Sequence, residues 1–338
     1  MIKSALIIVL IFLLFGCKAE KSQEDQVISL SNGTVEIKLL PAVGGTLIWA
    51  SLAGQENILN SDSTLWNEAA SRRPGMDPSE SFKAYNGMTV WLSPQSEWWV
   101  KQDTYAKLKN ERSIWPPDPY LTFAPYRITK HKKDEITLRS PESPNTHVQF
   151  TKTFRIEGNK IFISTTARNC SQDTVSWGLW FNTRMNGWDK VFVPAYPRDL
   201  QRILYLHHPD IHKPVLTYAQ GCFSYEAAEP EAGQGAYISK TFISVEDPAI
   251  IGFHANQWLI IQSQRMDPSL IHPEQGRVEI YVENSTDKAN DLQELEMHFP
   301  YENIAPGASI EASQDWEILP DLNVPDNSKL TELLKTKL

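Results

Sequence analysis

Five side chains towards the end of the chain have the types and spacing needed for proton transfer or ligand binding. Glu279 and Glu283 alternate with Val278, Ile280 and Val282, and Glu294, Glu296 and His298 alternate with Leu295, Met297 and Phe299. A period of two puts the polar set on one face of a strand and the apolar set on the other. If the two strands pair, Glu279 and Glu283 lie beside Glu296. They then form either a carboxylate cluster with a raised pKa or a solvated face.

A second set of candidates is His207-His208-Pro209-Asp210-Ile211-His212, the densest polar cluster in the chain. In an extended segment His208, Asp210 and His212 share one side, a donor set for zinc or another divalent cation. Pro209 interrupts a regular strand and the spacing matches no standard motif, so the segment also reads as a solvated loop. His254, His272 and His298 stand singly, in the manner of hydrogen-bonded structural histidines.

Eleven tryptophans set the composition apart, with one group at Trp91, Trp98, Trp99 and Trp115 and another at Trp177, Trp180 and Trp188. Indole faces suit the C–H faces of pyranose rings, and the N–H can donate to a hydroxyl. Packed sheets also use aromatics as core filler. Trp98 and Trp99 are neighbours, so a strand would point them to opposite faces and bring at least one to solvent or ligand. They are better sugar platforms than Trp49 or Trp316, which fall in expected strands.

The elements that must position these residues are strands. Asn284 to Asn290 connects the two glutamate strands, Ala305-Pro306-Gly307 turns the chain again, and Ile310 to Ile318 closes it. Twenty-two prolines, sixteen glycines and many short alternations point to an all-β body. Val27 to Leu30 and Thr34 to Leu40 flank the hairpin signal Asn32-Gly33. Pro41 to Gly45 turns into Thr46 to Leu52. Val148 to Phe154, Lys160 to Thr166 and Val175 to Phe181 form the centre, the last two joined by the turn Arg168 to Asp173.

Leu295-Glu296 with His298-Phe299-Pro300 and Pro306-Gly307, the opening Pro41 to Gly45 turn, and the central strands together resemble the galactose-mutarotase-like, or aldose 1-epimerase-like, superfamily. The resemblance spans about Val27 to Leu319. Within that superfamily the chain is most similar to an uncharacterised bacterial family, marked by Trp91-Leu92-Ser93-Pro94 and by Trp115 to Pro119. It implies an all-β galactose-mutarotase-like supersandwich with a carbohydrate ligand on its concave face, for which the residues themselves offer Trp91, Trp98, Trp99, Trp180, Glu279 and His298 as binding candidates. It makes Glu296 the catalytic base and places Arg72 or Arg73 near the pocket rim, where a guanidinium would hold sugar hydroxyls or a carboxylate.

An epimerase of this kind pairs the glutamate with a histidine acid across the anomeric centre. The family histidine precedes a Phe-Asn pair; here Phe181-Asn182 matches, but Gly178 stands at the histidine position. The acid is therefore unassigned. Three functions stay open: a protein that binds or acts on a carbohydrate, with epimerase-like chemistry; a binding or assembly module that has lost the chemistry; and a glycan lyase or hydrolase, which would need a second acid near Glu296.

At the start, Lys3 precedes the apolar run Ala5 to Phe15, and Leu14-Phe15-Gly16-Cys17 fits a lipobox. The run is short of the ~20 residues that span a bilayer. It reads as a bacterial lipoprotein signal peptide, with cleavage before Cys17, lipidation of its thiol and attachment to the cell envelope, at the periplasmic or cell surface. The expected organisation is signal peptide 1–16, tether 17–26, sandwich domain 27–320 and tail 321–338. A net charge of -9 without a basic run gives no footing for nucleic acid. There is no glycine-rich phosphate loop, and no cofactor is expected. Cys170 and Cys222 are far apart in sequence and leave disulfide pairing open.

Overall fold

Alternating apolar residues become strands wherever one face can be buried, and this chain has twenty such strands among its described residues. The computed structural model describes residues 26–68, 72–80, 82–187, 189–205, 215–219, 221–226, 237–284 and 291–321. The first strands are β1 (Ile28–Ser31), β2 (Val35–Leu40), β3 (Thr46–Leu52) and β4 (Met88–Ser93). Two short helices, α1 (Ala106–Asn110) and α2 (Pro119–Thr122), lead to β5 (Arg127–His131) and β6 (Glu135–Arg139). The centre holds β7 (Val148–Glu157), β8 (Lys160–Asn169), β9 (Val175–Asn186) and β10 (Lys190–Pro194). Then come β11 (Leu200–Tyr205), β12 (Val215–Ala219), β13 (Cys222–Glu226), β14 (Tyr237–Ile243), β15 (Ala249–His254) and β16 (Gln257–Gln262). The last four are β17 (Val278–Asn284), β18 (Leu292–His298), β19 (Glu302–Ile304) and β20 (Ser309–Pro320).

These make two ten-stranded sheets. The first runs β1-β2-β3-β4-β9-β18-β17-β14-β11, with β19 on β9; the second runs β12-β13-β10-β15-β16-β20-β8-β7-β6-β5. All pairings are antiparallel. The core lies between the sheets: Ile37, Leu39, Phe181, Ile280, Leu295 and Met297 from the first join Phe150, Phe154, Ile163 and Trp316 from the second. Each such side chain contributes about 1.5–3 kcal/mol by leaving water.

Two features of the frame follow from close packing. Gly44 has φ +63°, and a Cβ there would sit 2.0 Å from the Thr122 carbonyl oxygen, so the Pro41 to Gly45 turn can press against α2 only with glycine at that position. Lys152 breaks the apolar face of β7. Its Nζ donates to the Gly44 carbonyl at 2.8 Å and lies 5.0 Å from the Tyr126 ring centroid, and burial lowers its pKa to about 7.

Candidate functional site

The five strands β4, β9, β18, β17 and β14 are consecutive neighbours, and their register fixes which side chains share the face turned away from the core. Glu279 stands opposite Glu296, Glu296 opposite Asn182, and Asn182 opposite Thr89. One step along, Lys240, Tyr281, Glu294 and Arg184 form a second row. On the other side, His298, Trp180 and Trp91 form a third. Sequence alternation put Glu279, Glu283, Glu294, Glu296 and His298 on one face, and the pairing of β17 with β18 brings them together.

Glu279, Glu296 and His298 are fully buried. Lys240 Nζ lies 2.7 Å from Glu279 Oε2 and 2.8 Å from Glu296 Oε2. His298 Nε2 lies 3.3 Å and 3.6 Å from the same two oxygens. The backbone N–H of Gly276 donates to Glu279 Oε1 at 2.7 Å. With His298 protonated, two negative and two positive charges cancel, the condition under which buried charges persist. Burial pushes the Glu279 carboxyl up, but the adjacent His298 and Lys240 charges outweigh it and bring its pKa to about 2. At Glu296 burial dominates and the pKa is raised despite Lys240. At His298 and Lys240 burial opposes the charged form, yet the neighbouring carboxylates raise both pKa values.

Glu279, Glu296 and His298 offer ligand atoms within 4.8 Å of one another, the arrangement of a three-residue metal set. The Lys240 ammonium sits against both carboxylates, so the chain supplies its own cation and a metal would have to displace it.

Above this cluster is a cleft of about 450 Å³, lined by Trp91, Trp115, Trp180, Arg184, Lys240 and Glu294, with Tyr281 and Glu283 beside them. Arg184 Nε donates to Glu294 Oε1 at 2.8 Å, and Nη1 donates to Thr89 Oγ1 at 2.9 Å. The Arg184 guanidinium lies 4.9 Å over the Trp91 ring and the Lys240 ammonium 4.6 Å over the Trp180 ring. Trp180 stacks on His298 at 5.0 Å. Glu296 lies behind Lys240 and does not line the cleft.

Several buried polar atoms on this face have no hydrogen-bond partner within the protein. They are Trp91 Nε1, Trp180 Nε1, both amide atoms of Asn182, Glu296 Oε1 and His298 Nδ1. Of these residues only Trp91 and Trp180 line the cleft; Asn182, Glu296 and His298 lie buried beneath it.

Other expected residues fall elsewhere. Trp98 and Trp99 are both buried, which corrects the expectation that one of them meets solvent. They follow a 3₁₀ turn at Gln95–Glu97 rather than lying in a strand, and their N–H groups donate to the backbone carbonyls of Leu92 and Pro116. Among the described residues, the exposed indole is Trp115, at 42 %. Arg72 and Arg73 are not among the cleft-lining residues. At Gly178 an added Cβ would lie 2.6 Å from Ser93 Oγ and 3.0 Å from the Phe299 carbonyl oxygen, so this position has no room for a histidine. Cys170 and Cys222 form no disulfide. Cys17, Trp188 and the group His208, Asp210 and His212 lie outside the described residues.

The sequence reading missed Lys240 and Arg184. The signal for Lys240 was one lysine inside the apolar strand Tyr237–Ile243; for Arg184 it was an arginine among the uncharged residues of β9. Apart from this cluster, Asp189 and His254 form a second pair. His254 Nδ1 is 2.6 Å from Asp189 Oδ1, and Asn186 Nδ2 lies 3.3 Å from the imidazole Nε2.

Residues 25–319 match the model of a domain of unknown function, DUF4380. No curated protein matches the chain in sequence. Among solved structures, the fold is similar to a galactose mutarotase-like protein from Lactobacillus casei, with TM-score 0.55 and 11 % identity, covering 87 % of this chain and 100 % of that one. It is also similar to a galactose mutarotase related enzyme from Lactobacillus acidophilus, with TM-score 0.52 and 9 % identity over 88 % and 99 % of the two chains. A galactose mutarotase-like protein from Clostridium acetobutylicum gives TM-score 0.51 and 11 % identity over 87 % and 95 %. At these identities the likeness establishes a galactose-mutarotase-like sandwich fold.

Proposed function

The chain belongs to the DUF4380 family, a domain of unknown function, and on that footing we propose that it is an envelope lipoprotein that binds a carbohydrate in the cleft over β4, β9, β18, β17 and β14. The observation that carries the reading is the cleft itself, where the indoles of Trp91, Trp115 and Trp180 stand beside the polar groups of Arg184, Lys240, Glu283 and Glu294. Mixed donors and acceptors beside indole rings suit a polyhydroxylated ring, whose hydroxyls both give and take hydrogen bonds. The solved structures with this fold are described as galactose mutarotase-like, which supports a sugar as the guest. Attachment to the envelope rests on Leu14-Phe15-Gly16-Cys17.

Binding without epimerisation is the favoured form. An epimerase needs a base and an acid on opposite sides of the sugar ring. Here the acids nearest Glu296, Lys240 and His298, touch it on the same face, and Gly178 is sterically closed to a histidine. The second reading, proton transfer by Glu296, is favoured by its raised pKa, since a carboxylate poised nearer neutrality is a better base.

Ligand-observed NMR on the full-length chain in detergent, with a panel of mono- and oligosaccharides, separates the two. Saturation transfer to sugar protons without faster anomeric exchange is the expected result. Exchange above the uncatalysed rate that vanishes in Glu296→Gln would replace binding with epimerase chemistry. Silence across the panel would remove the carbohydrate reading.

A further inference from the structure

The pairing of the cleft's charged side chains bears on its ligand class. Among the described residues that line it, Arg184 and Lys240 are positive and Glu283 and Glu294 negative, and Glu283 is the carboxylate with no cation against it. Arg184 is taken by Glu294, and Lys240 is shared between Glu279 and Glu296. Glu283 is left with a neutral partner, the Tyr281 hydroxyl, which donates to its Oε2 at 3.0 Å. Tyr281 also registers the local field: burial first, then the charges of Glu283 and Glu294, hold its phenol pKa well above the usual value.

The aromatic wall points the same way. Three indoles line the cleft. Trp91 and Trp180 each already carry a cation of the protein on a ring face, at 4.9 Å and 4.6 Å. Trp115 carries none among the described residues, packs against Phe82 at 4.7 Å and is 42 % exposed. An open indole and an uncompensated carboxylate in one cleft form a receptor for a cation, because the ring quadrupole and the carboxylate charge both attract it.

We propose that the cleft selects a sugar carrying a protonated amine, with its ammonium held by Glu283 and the open face of Trp115. This rests on the carbohydrate reading and narrows it. Uronic acids and sulfated or phosphorylated sugars are disfavoured by the same charges, since both cleft cations are already committed to carboxylates.

The test is calorimetry on the full-length chain in detergent at pH about 6, where even an amine as weakly basic as an α-amino group, with a pKa of about 7.7–8.0, is charged. The probes are glucosamine, its neutral N-acetyl form, glucose and glucuronate. Glucosamine should bind about five- to tenfold tighter than the neutral sugars, the size expected of one partly exposed charge contact with a cation–π share. Glu283→Gln and Trp115→Leu should each bring the ratio of glucosamine affinity to neutral-sugar affinity down to about one. Equal or weaker binding of glucosamine overturns the proposal and leaves the carbohydrate reading standing. A preference that survives Glu283→Gln overturns the assignment to this carboxylate. No binding by any of the four overturns both.

Discussion

Lys240 is the ammonium set against two buried carboxyl groups, so its removal should be felt more than that of any surface ion pair. Its Nζ lies within 2.8 Å of both Glu279 and Glu296. Replacing it by methionine keeps the apolar stem and leaves two carboxylates against one imidazolium. Breaking a buried pair in this way costs about 3–5 kcal/mol. Chemical denaturation of Lys240→Met should show a loss of that order. A loss under ~1 kcal/mol, the worth of an exposed ion pair, would mean that the carboxylates take up protons and need no counter-charge. Glu279 makes a separate prediction about acid. Its pKa falls from 4.5 to about 2 on folding. A depressed carboxyl contributes stability that is present above its unfolded pKa and is lost as pH falls through the folded value. Glu279→Gln should therefore flatten the decline in stability between those two pH values. An acid limb as steep as in the parent protein would show that Glu279 does not control it.

At the scale of elements, the sheets need close approaches that admit no added atom. β9 passes Ser93 and the Phe299 backbone at Gly178, where a Cβ would meet a hydroxyl at 2.6 Å and a carbonyl at 3.0 Å. Gly178→Ala should cost about 1–3 kcal/mol, as overpacking usually does. Adding Ser93→Ala should restore part of it by removing the nearer atom. A Gly178→Ala midpoint equal to the parent's would mean that β4 can yield. The Asp189–His254 pair ties the junction of β9 and β10, where the chain crosses from the first sheet to the second, to the end of β15. The hydrogen bond to Asp189 raises the His254 pKa against the effect of burial, and burial raises that of Asp189. Both groups therefore hold protons more tightly in the folded state, and their stabilisation is lost as pH rises. For His254 the loss begins above the unfolded value of about 6.5. The thermal midpoint should fall from pH ~6 to ~8 and fall less in His254→Gln; an identical slope in the variant would exclude this pair as the cause. Little of this was legible beforehand. The period of two in Val278–Asn284 and Leu292–His298 gave the faces because both strands bury one side. The surroundings of Gly178 come from residues 93 and 299, which no local pattern connects to it.

Across the whole molecule, sequence and structure agree where the information is local and part where it depends on long-range pairing. The all-β character was readable from turns such as Asn32-Gly33, whose Asn32 Oδ1 accepts from the N–H groups of Thr34 and Val35 and fixes the first hairpin. The cleft was not readable in the same way. It needs Lys240 to meet Glu296 across 56 positions and Arg184 to meet Glu294 across 110, and its open indole is Trp115 rather than the paired Trp98 and Trp99. The family domain spans residues 25–319 and contains every cleft residue, whereas the proposed lipid attachment point, Cys17, precedes it. If the two parts act separately, membrane attachment and ligand binding should come apart in one variant. Cys17→Ser should lose metabolic labelling by fatty acid and leave the membrane fraction, and its sugar affinity should stay within about twofold of the parent's, since every cleft residue lies within the matched domain. Labelling that persists would remove Cys17 as the acceptor. Affinity that collapses with the lipid would show that the cleft requires the membrane surface to form.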